Sequence, residues 1–106
     1  MKNIGIIGAG AWGTALAMVG ARAGLNVLIQ ARELDVVDTI NREHQNQAFL
    51  PNVLLDPLIR ATTDVMEVAN GADAILLTAP SQFFRSAISH LKDSLASGVP
   101  AVICTK

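Results

Sequence analysis

Short apolar runs alternate with segments of helical period along most of this chain. Ile4 to Ile7 reads as a short strand stopped by Gly8-Ala9-Gly10. From Ala11 to Ala23 the apolar residues Leu16, Val19 and Ala23 recur at helical spacing, and Gly24 is placed to end that helix. Val27-Leu28-Ile29 predicts a second strand. Glu33 to Glu43 predicts a helix with acids in its first turn and Arg42 in its last, as the helix dipole favours, and with Val36, Val37 and Ile40 as its buried stripe. A proline-marked connection follows from Gln45 to Leu58, with Phe49, Leu50, Leu54 and Leu55 as its expected anchors. Ile59 to Thr62 is a weaker strand pattern, and Asp64 and Glu67 have the spacing of a reciprocal helix cap before a short helix ending at Gly71. Ala74 to Leu77 predicts the next strand. Beyond it, Ser81 can cap a helix built on Phe84, Ile88, Leu91 and Leu95 and ended at Ser97-Gly98, and Ala101 to Cys104 predicts the last strand.

Five short strands separated by four helical or connecting segments imply βαβ units and a parallel sheet. Strands covered on both faces read as continuous apolar runs rather than as alternating ones. The expected class is therefore α/β, a Rossmann-type doubly wound parallel sheet. Its ligands should bind at the carboxyl ends of the strands, where the winding direction reverses. Ala101 to Cys104 is expected to form an open sheet edge prone to association.

The chain has 106 residues, one domain's worth, and 51% hydrophobic with 16% charged residues fits a well-buried globule. Its formal charge of -1 leaves no electrostatic footprint for nucleic acid. Cys104 is the lone cysteine, so no intramolecular disulfide and no cysteine-rich zinc site can form. Nineteen uncharged residues, Asn3 to Ala21, meet crude criteria for a membrane span or export signal. Gly5, Gly8, Gly10, Gly13 and Gly20 lie within that stretch and would weaken any helix through it, so a cytoplasmic protein is expected.

The candidate chemistry lies in Gly8-Ala9-Gly10-Ala11-Trp12-Gly13, a G-x-G-x-x-G motif between a predicted strand and a predicted helix. Gly8 permits the tight turn, Gly10 lets a pyrophosphate approach the backbone, and Gly13 lets the helix pack on the first strand. Free N–H groups at the helix start would hold the phosphates. The alternative is a glycine-rich turn that serves packing alone. In this fold an acidic residue commonly ends the second strand and takes the ribose 2′-hydroxyl, but here the segment reads Ile29-Gln30-Ala31-Arg32-Glu33. Arg32 can pair with a 2′-phosphate and stack on adenine, which favours NADPH over NADH. Glu33 could still reach a ribose hydroxyl, and both charges could also be solvated residues at a helix start.

Gly8 to Ala17 (G-A-G-A-W-G-T-A-L-A) resembles the start of the NAD(P)-dependent glycerol-3-phosphate dehydrogenases. So do Ile40-Asn41 with His44, Asn46, Leu50 and Pro51, the run Ala61-Thr62-Thr63-Asp64, Pro80-Ser81-Gln82, and Cys104-Thr105-Lys106. The resemblance extends from residue 2 to residue 106. Dehydrogenases of 2-hydroxy acids and nucleotide sugars share the glycine loop but not the Asn41, His44 and Asn46 cluster. The resemblance implies a cofactor, NADP(H) or NAD(H), bound by Gly8, Gly10, Ala11, Trp12, Gly13 and Arg32. It also implies cofactor contacts from Phe49, where the family often has tyrosine, from Phe83 near the nicotinamide half, and from Lys106, which would touch substrate as well.

The same resemblance implies hydride exchange between dihydroxyacetone phosphate and sn-glycerol 3-phosphate, supplying a phospholipid precursor, in a homodimeric enzyme without nucleic-acid or membrane partners. Family members add a C-terminal helical domain bearing the proton-transferring lysine, so residues 1–106 are expected to be the cofactor-binding portion and inactive alone. Other tempting residues carry plainer readings. His44 is expected to be structural at a helix end, His90 exposed, and Cys104 a small hydrophobe. Asp73 and Asp93 lack a carboxylate partner at a suggestive spacing, and no metal constellation is visible. Other functional classes are the cofactor-binding module of another small-substrate dehydrogenase, a stand-alone nucleotide sensor, a purely structural domain without cofactor affinity, and a membrane-tethered protein.

Overall fold

The computed structural model describes residues 2–47 and 50–78 and the backbone of strand 101–103. The elements run β1 (Asn3–Ile7), α1 (Ala11–Arg22), β2 (Asn26–Gln30), α2 (Leu34–Glu43), β3 (Ile59–Thr62), α3 (Val65–Gly71), β4 (Ala74–Leu77) and β5 (Ala101–Ile103). The sheet order is β3-β2-β1-β4-β5, and every pairing is parallel. The chain therefore winds outward from β1 to β3, then returns to the other side of β1. That reversal puts the switch point at the carboxyl ends of β1 and β4. The helix predicted between Ser81 and Ser97 lies outside the described residues, as do Phe49, Phe83, His90, Asp93, Cys104 and Lys106.

Alternate residues of the strands feed two cores. Ile6, Val27, Ile29, Ile59 and Ala61 pack with Ala17 and Ala21 of α1 and Val36, Val37 and Ile40 of α2. Ile7, Ile75 and Leu77 pack with Val68 and Ala69 of α3 on the other face. Covering both faces removes the strands from water, and this is why β4 and β1 from Ile4 onward carry only apolar residues. The stretch Asn3 to Ala21 is divided between a central strand and a helix. Among the described residues no helix is long and apolar enough to cross a membrane.

Several expectations change. The buried face of α1 is Gly13, Thr14, Ala17 and Ala21, whereas Val19 is 64% exposed and Ala23 is the exposed C-cap. The helix lies so close to the sheet that only small side chains fit beneath it. Leu16 packs at the margin of the core. α1 ends at Arg22 and reverses through Gly24, at φ 84°. Leu54 does not anchor the 45–58 connection, since it is 70% exposed, while Leu55 is buried. The Leu55 N–H donates to the His44 carbonyl, which turns Leu55 rather than its neighbour inward.

The reciprocal cap on α3 is only half formed. Asp64 Oδ1 accepts from the Met66 N–H at 2.9 Å, but Glu67 reaches the Thr62 hydroxyl instead of the Asp64 N–H. Thr62 Oγ1 accepts the Asp64 N–H at 3.1 Å, so a relay through the end of β3 completes the cap.

Candidate functional site

The loop between β1 and α1 forms the centre of the site. Gly8 takes φ 111°, a conformation unfavourable for residues with a Cβ, and its N–H donates to the Gln30 carbonyl at 3.0 Å. That bond ties the turn to the end of β2, two residues before Arg32. From the other side Thr78, just after β4, closes on the loop. Its N–H donates to the Ile7 carbonyl at 2.9 Å, and its hydroxyl lies 2.9 Å from that oxygen and 3.0 Å from the Gly8 carbonyl oxygen.

The three motif glycines have separable roles. A Cβ on Gly13 would collide with the Gly8 carbonyl oxygen and stand 2.6 Å from Thr78 Oγ1. Gly13 is thus where α1 touches the loop. A Cβ on Gly10 would meet nothing within 4 Å. Gly10 is the N-cap of α1, in extended conformation, and no side chain caps the helix start. An uncapped start with open space in front of it suits an anionic group, because backbone N–H groups and the positive helix end converge there. Ala11 and Trp12 open the helix, both exposed, with Trp12 at 44%. These residues fit a dinucleotide pyrophosphate.

Beneath the loop lies a buried polar knot. Asn46, 1% exposed, donates through Nδ2 to the Ala9 carbonyl and to Thr14 Oγ1, both at 2.8 Å, and the Thr14 hydroxyl donates to the Ala9 carbonyl at 3.4 Å. Asn46 Oδ1 is buried with no partner. The other two members of the sequence cluster serve structure. His44 is the left-handed C-cap of α2 at φ 55°, its N–H donating to the Ile40 carbonyl. Asn41 grips β3, donating to the Ala61 carbonyl at 3.0 Å and accepting the Ala61 N–H at 2.8 Å. A side-chain amide there acts like one more strand residue on the outer strand.

At the end of β2, Gln30 turns inward and donates to the Thr63 carbonyl at 3.4 Å. Arg32, exposed, follows two residues after β2, and Glu33 is the exposed N-cap of α2 without a side-chain capping bond. At the opposite end of the sheet, Asp73 Oδ2 accepts the N–H groups of Lys2 and Asn3, both at 2.9 Å. These backbone hydrogen bonds, Lys2 first and then Asn3, hold the Asp73 carboxyl below its ordinary range. Among the described residues no group of His, Cys, Asp and Glu could hold a metal ion.

Gly8, Gly10, Ala11, Trp12, Gly13 and Arg32 thus gather at the carboxyl ends of β1 and β2, while Phe49, Phe83 and Lys106 lie outside the described residues. Sequence reasoning missed Thr14 and Thr78 as supports of the loop, and gave Asn46 no role of its own. Thr78 carried one signal, a hydroxyl immediately after an apolar strand that had to end beside the glycine turn.

The family described as "NAD-dependent glycerol-3-phosphate dehydrogenase N-terminus" matches residues 3–106. A glycerol-3-phosphate dehydrogenase [NAD(P)+] of Paramagnetospirillum magneticum is 53% identical over 106 residues, all of this chain and 38% of that protein. The namesake protein of Caulobacter vibrioides is 48% identical over 99% of this chain and 31% of its own length. The crystal structure of glycerol-3-phosphate dehydrogenase from Coxiella burnetii superposes with a TM-score of 0.90 at 35% identity, over 99% of this chain and 32% of that one. The chain therefore spans about a third of the length of the relatives it matches.

Proposed function

The chain belongs to the NAD-dependent glycerol-3-phosphate dehydrogenase family, whose N-terminal part it matches, and from that premise we propose that residues 1–106 form the NAD(P)(H)-binding unit of such an enzyme. The observation that carries this reading is the uncapped start of α1 at Gly10, with open space in front of it, just after the Gly8 turn that is tied to the end of β2. The backbone of Gly10, Ala11 and Trp12 receives the pyrophosphate, and Gly8 and Gly13 shape the loop that presents it. Arg32 takes the adenosine end and pairs with a 2′-phosphate, which favours NADPH. Phe49 and Phe83 line the cofactor, and Lys106 reaches both cofactor and substrate. When bound, the dinucleotide supplies the hydride, and this chain's residues bind and orient it.

The whole enzyme interconverts dihydroxyacetone phosphate and sn-glycerol 3-phosphate, in the cytoplasm and as a homodimer. Groups beyond these residues protonate the carbonyl and hold the substrate phosphate. The test is calorimetric titration with NADPH and NADH, on the natural chain and on Arg32→Ala. Loss of the charged contact should weaken NADPH about ten-fold or more and leave NADH nearly unchanged. A folded chain that binds neither dinucleotide would reduce the glycine loop to a packing device.

A further inference from the structure

Asn46 stands out because the fold uses only half of its amide. The side chain is 1% exposed, and its Nδ2 is satisfied twice while its Oδ1 has no partner. The orientation is not arbitrary. The Ala9 carbonyl oxygen can only accept, so the nitrogen must face it and the oxygen must take the empty side. Ala9 lies between the first two motif glycines, 37 residues from Asn46 in the chain. The Ala9–Gly10 peptide is trans, as are all the described peptides, so its carbonyl and its N–H point in opposite directions. Drawing the Ala9 carbonyl inward, onto the buried Asn46 and Thr14, turns the Gly10 N–H outward. Gly10 is the residue whose Cβ would meet nothing within 4 Å and whose helix start lacks a side-chain cap.

We infer that Asn46 is a positioning residue for the cofactor: it fixes the polarity of the Ala9–Gly10 peptide so that the Gly10 N–H faces the pyrophosphate. This rests on the reading of the loop as a dinucleotide site. Thr14 plays a lesser part, since its hydroxyl lies 3.4 Å from the same carbonyl and the Asn46 donor lies 2.8 Å away.

The test compares Asn46→Leu and Thr14→Val with the natural sequence, in the full chain, using NADH and ADP-ribose. Leucine keeps asparagine's branched side-chain skeleton, with bulkier methyl groups in place of the amide oxygen and nitrogen. It removes the donor to Ala9 but also removes a buried unpaired oxygen, so the two effects on stability oppose each other. The expected result for Asn46→Leu is a melting point close to that of the natural chain, with binding of both NADH and ADP-ribose weakened about ten-fold or more. Equal loss for the two ligands follows because they share the pyrophosphate. Thr14→Val should keep most of the affinity. In the natural chain the Gly10 amide resonance should shift on adding ADP-ribose, and in Asn46→Leu it should not.

Natural affinity in a folded Asn46→Leu chain, or equal losses in the two variants, would overturn the inference. Should Asn46→Leu fail to fold, the natural chain still decides, because a Gly10 amide indifferent to ADP-ribose refutes the proposal. If the natural chain binds no dinucleotide at all, the reading of the site fails first. Natural binding that is indifferent to Asn46 sinks only the positioning role and leaves the dinucleotide site standing.

Discussion

Adding one methyl group at Gly10 and at Gly13, three residues apart in the same glycine motif, should produce opposite defects. In Gly13→Ala the new Cβ collides with the Gly8 carbonyl oxygen and stands 2.6 Å from Thr78 Oγ1. Neither neighbour can give way easily. The Gly8 oxygen is backbone in a turn at φ 111°, and the Thr78 hydroxyl is held by the Ile7 and Gly8 carbonyls. Overpacking of this kind costs about 1–3 kcal/mol. Replacing glycine by alanine inside a helix returns about 0.5–1 kcal/mol, and because neither neighbour can give way the net loss falls in the upper part of the resulting range, about 1–2.5 kcal/mol. For a domain of this size that lowers the melting point by roughly 4–20 °C.

Gly10→Ala meets nothing within 4 Å and keeps its φ of -71° and ψ of -175°, which alanine adopts freely. Its cost in stability is confined to the poorer N-cap, about half a kcal/mol. The methyl then occupies the space left for the pyrophosphate, and NADPH and NADH should both weaken more than ten-fold, above about 1.4 kcal/mol. Thermal melts with and without dinucleotide read both quantities in one series. A Gly13→Ala chain as stable as the natural one, or a Gly10→Ala chain that binds normally, would refute the division of roles between the two glycines.

Further outcomes follow from single contacts. Asn41→Ala removes both hydrogen bonds to Ala61 and should cost about 1–2 kcal/mol, with faster hydrogen exchange at the Ala61 amide and unchanged dinucleotide affinity. Thr78→Val removes the hydroxyl over the loop, and chemical denaturation should show a loss of about 1 kcal/mol. Asp73 carries a depressed carboxyl, so its stabilising contribution is present above the ordinary aspartate range and is lost as pH falls through the lowered value. Asp73→Asn should therefore melt below the natural chain at neutral pH, and the gap should close in strong acid. A gap independent of pH would count against the Lys2 and Asn3 contacts as its cause.

The local pattern of the chain was sufficient for the class of fold. Apolar runs at Ile4–Ile7 and Ala74–Leu77 require burial on both faces, and helical spacing between runs requires crossovers, so a parallel doubly wound sheet follows without any long-range information. The glycine loop was legible for the same reason: turn, approach and helix start are all decided within six residues. Periodicity misread the face of α1, because it ranks positions by hydrophobicity, whereas the contact of Gly13 with Gly8 leaves room only for Ala17 and Ala21. Likewise a three-residue spacing suggested the Asp64 and Glu67 cap, but Thr62 lies nearer once β3 is in place.

The supports of the site were decided by tertiary structure alone. Asn46 meets Ala9 across 37 residues, and Thr78 meets Gly8 across 70. Asparagine and threonine are common in loops, and apart from the place of Thr78 just after an apolar strand, nothing local distinguishes a structural clamp from a solvated side chain. What selects them is burial: once the sheet assembles, the carbonyl and N–H groups of the loop lose water and must find partners from whichever strands lie alongside. Local residue pattern alone places the strands and the glycine turn. The packing of β1 between β2 and β4 decided which side chains would hold that turn in shape.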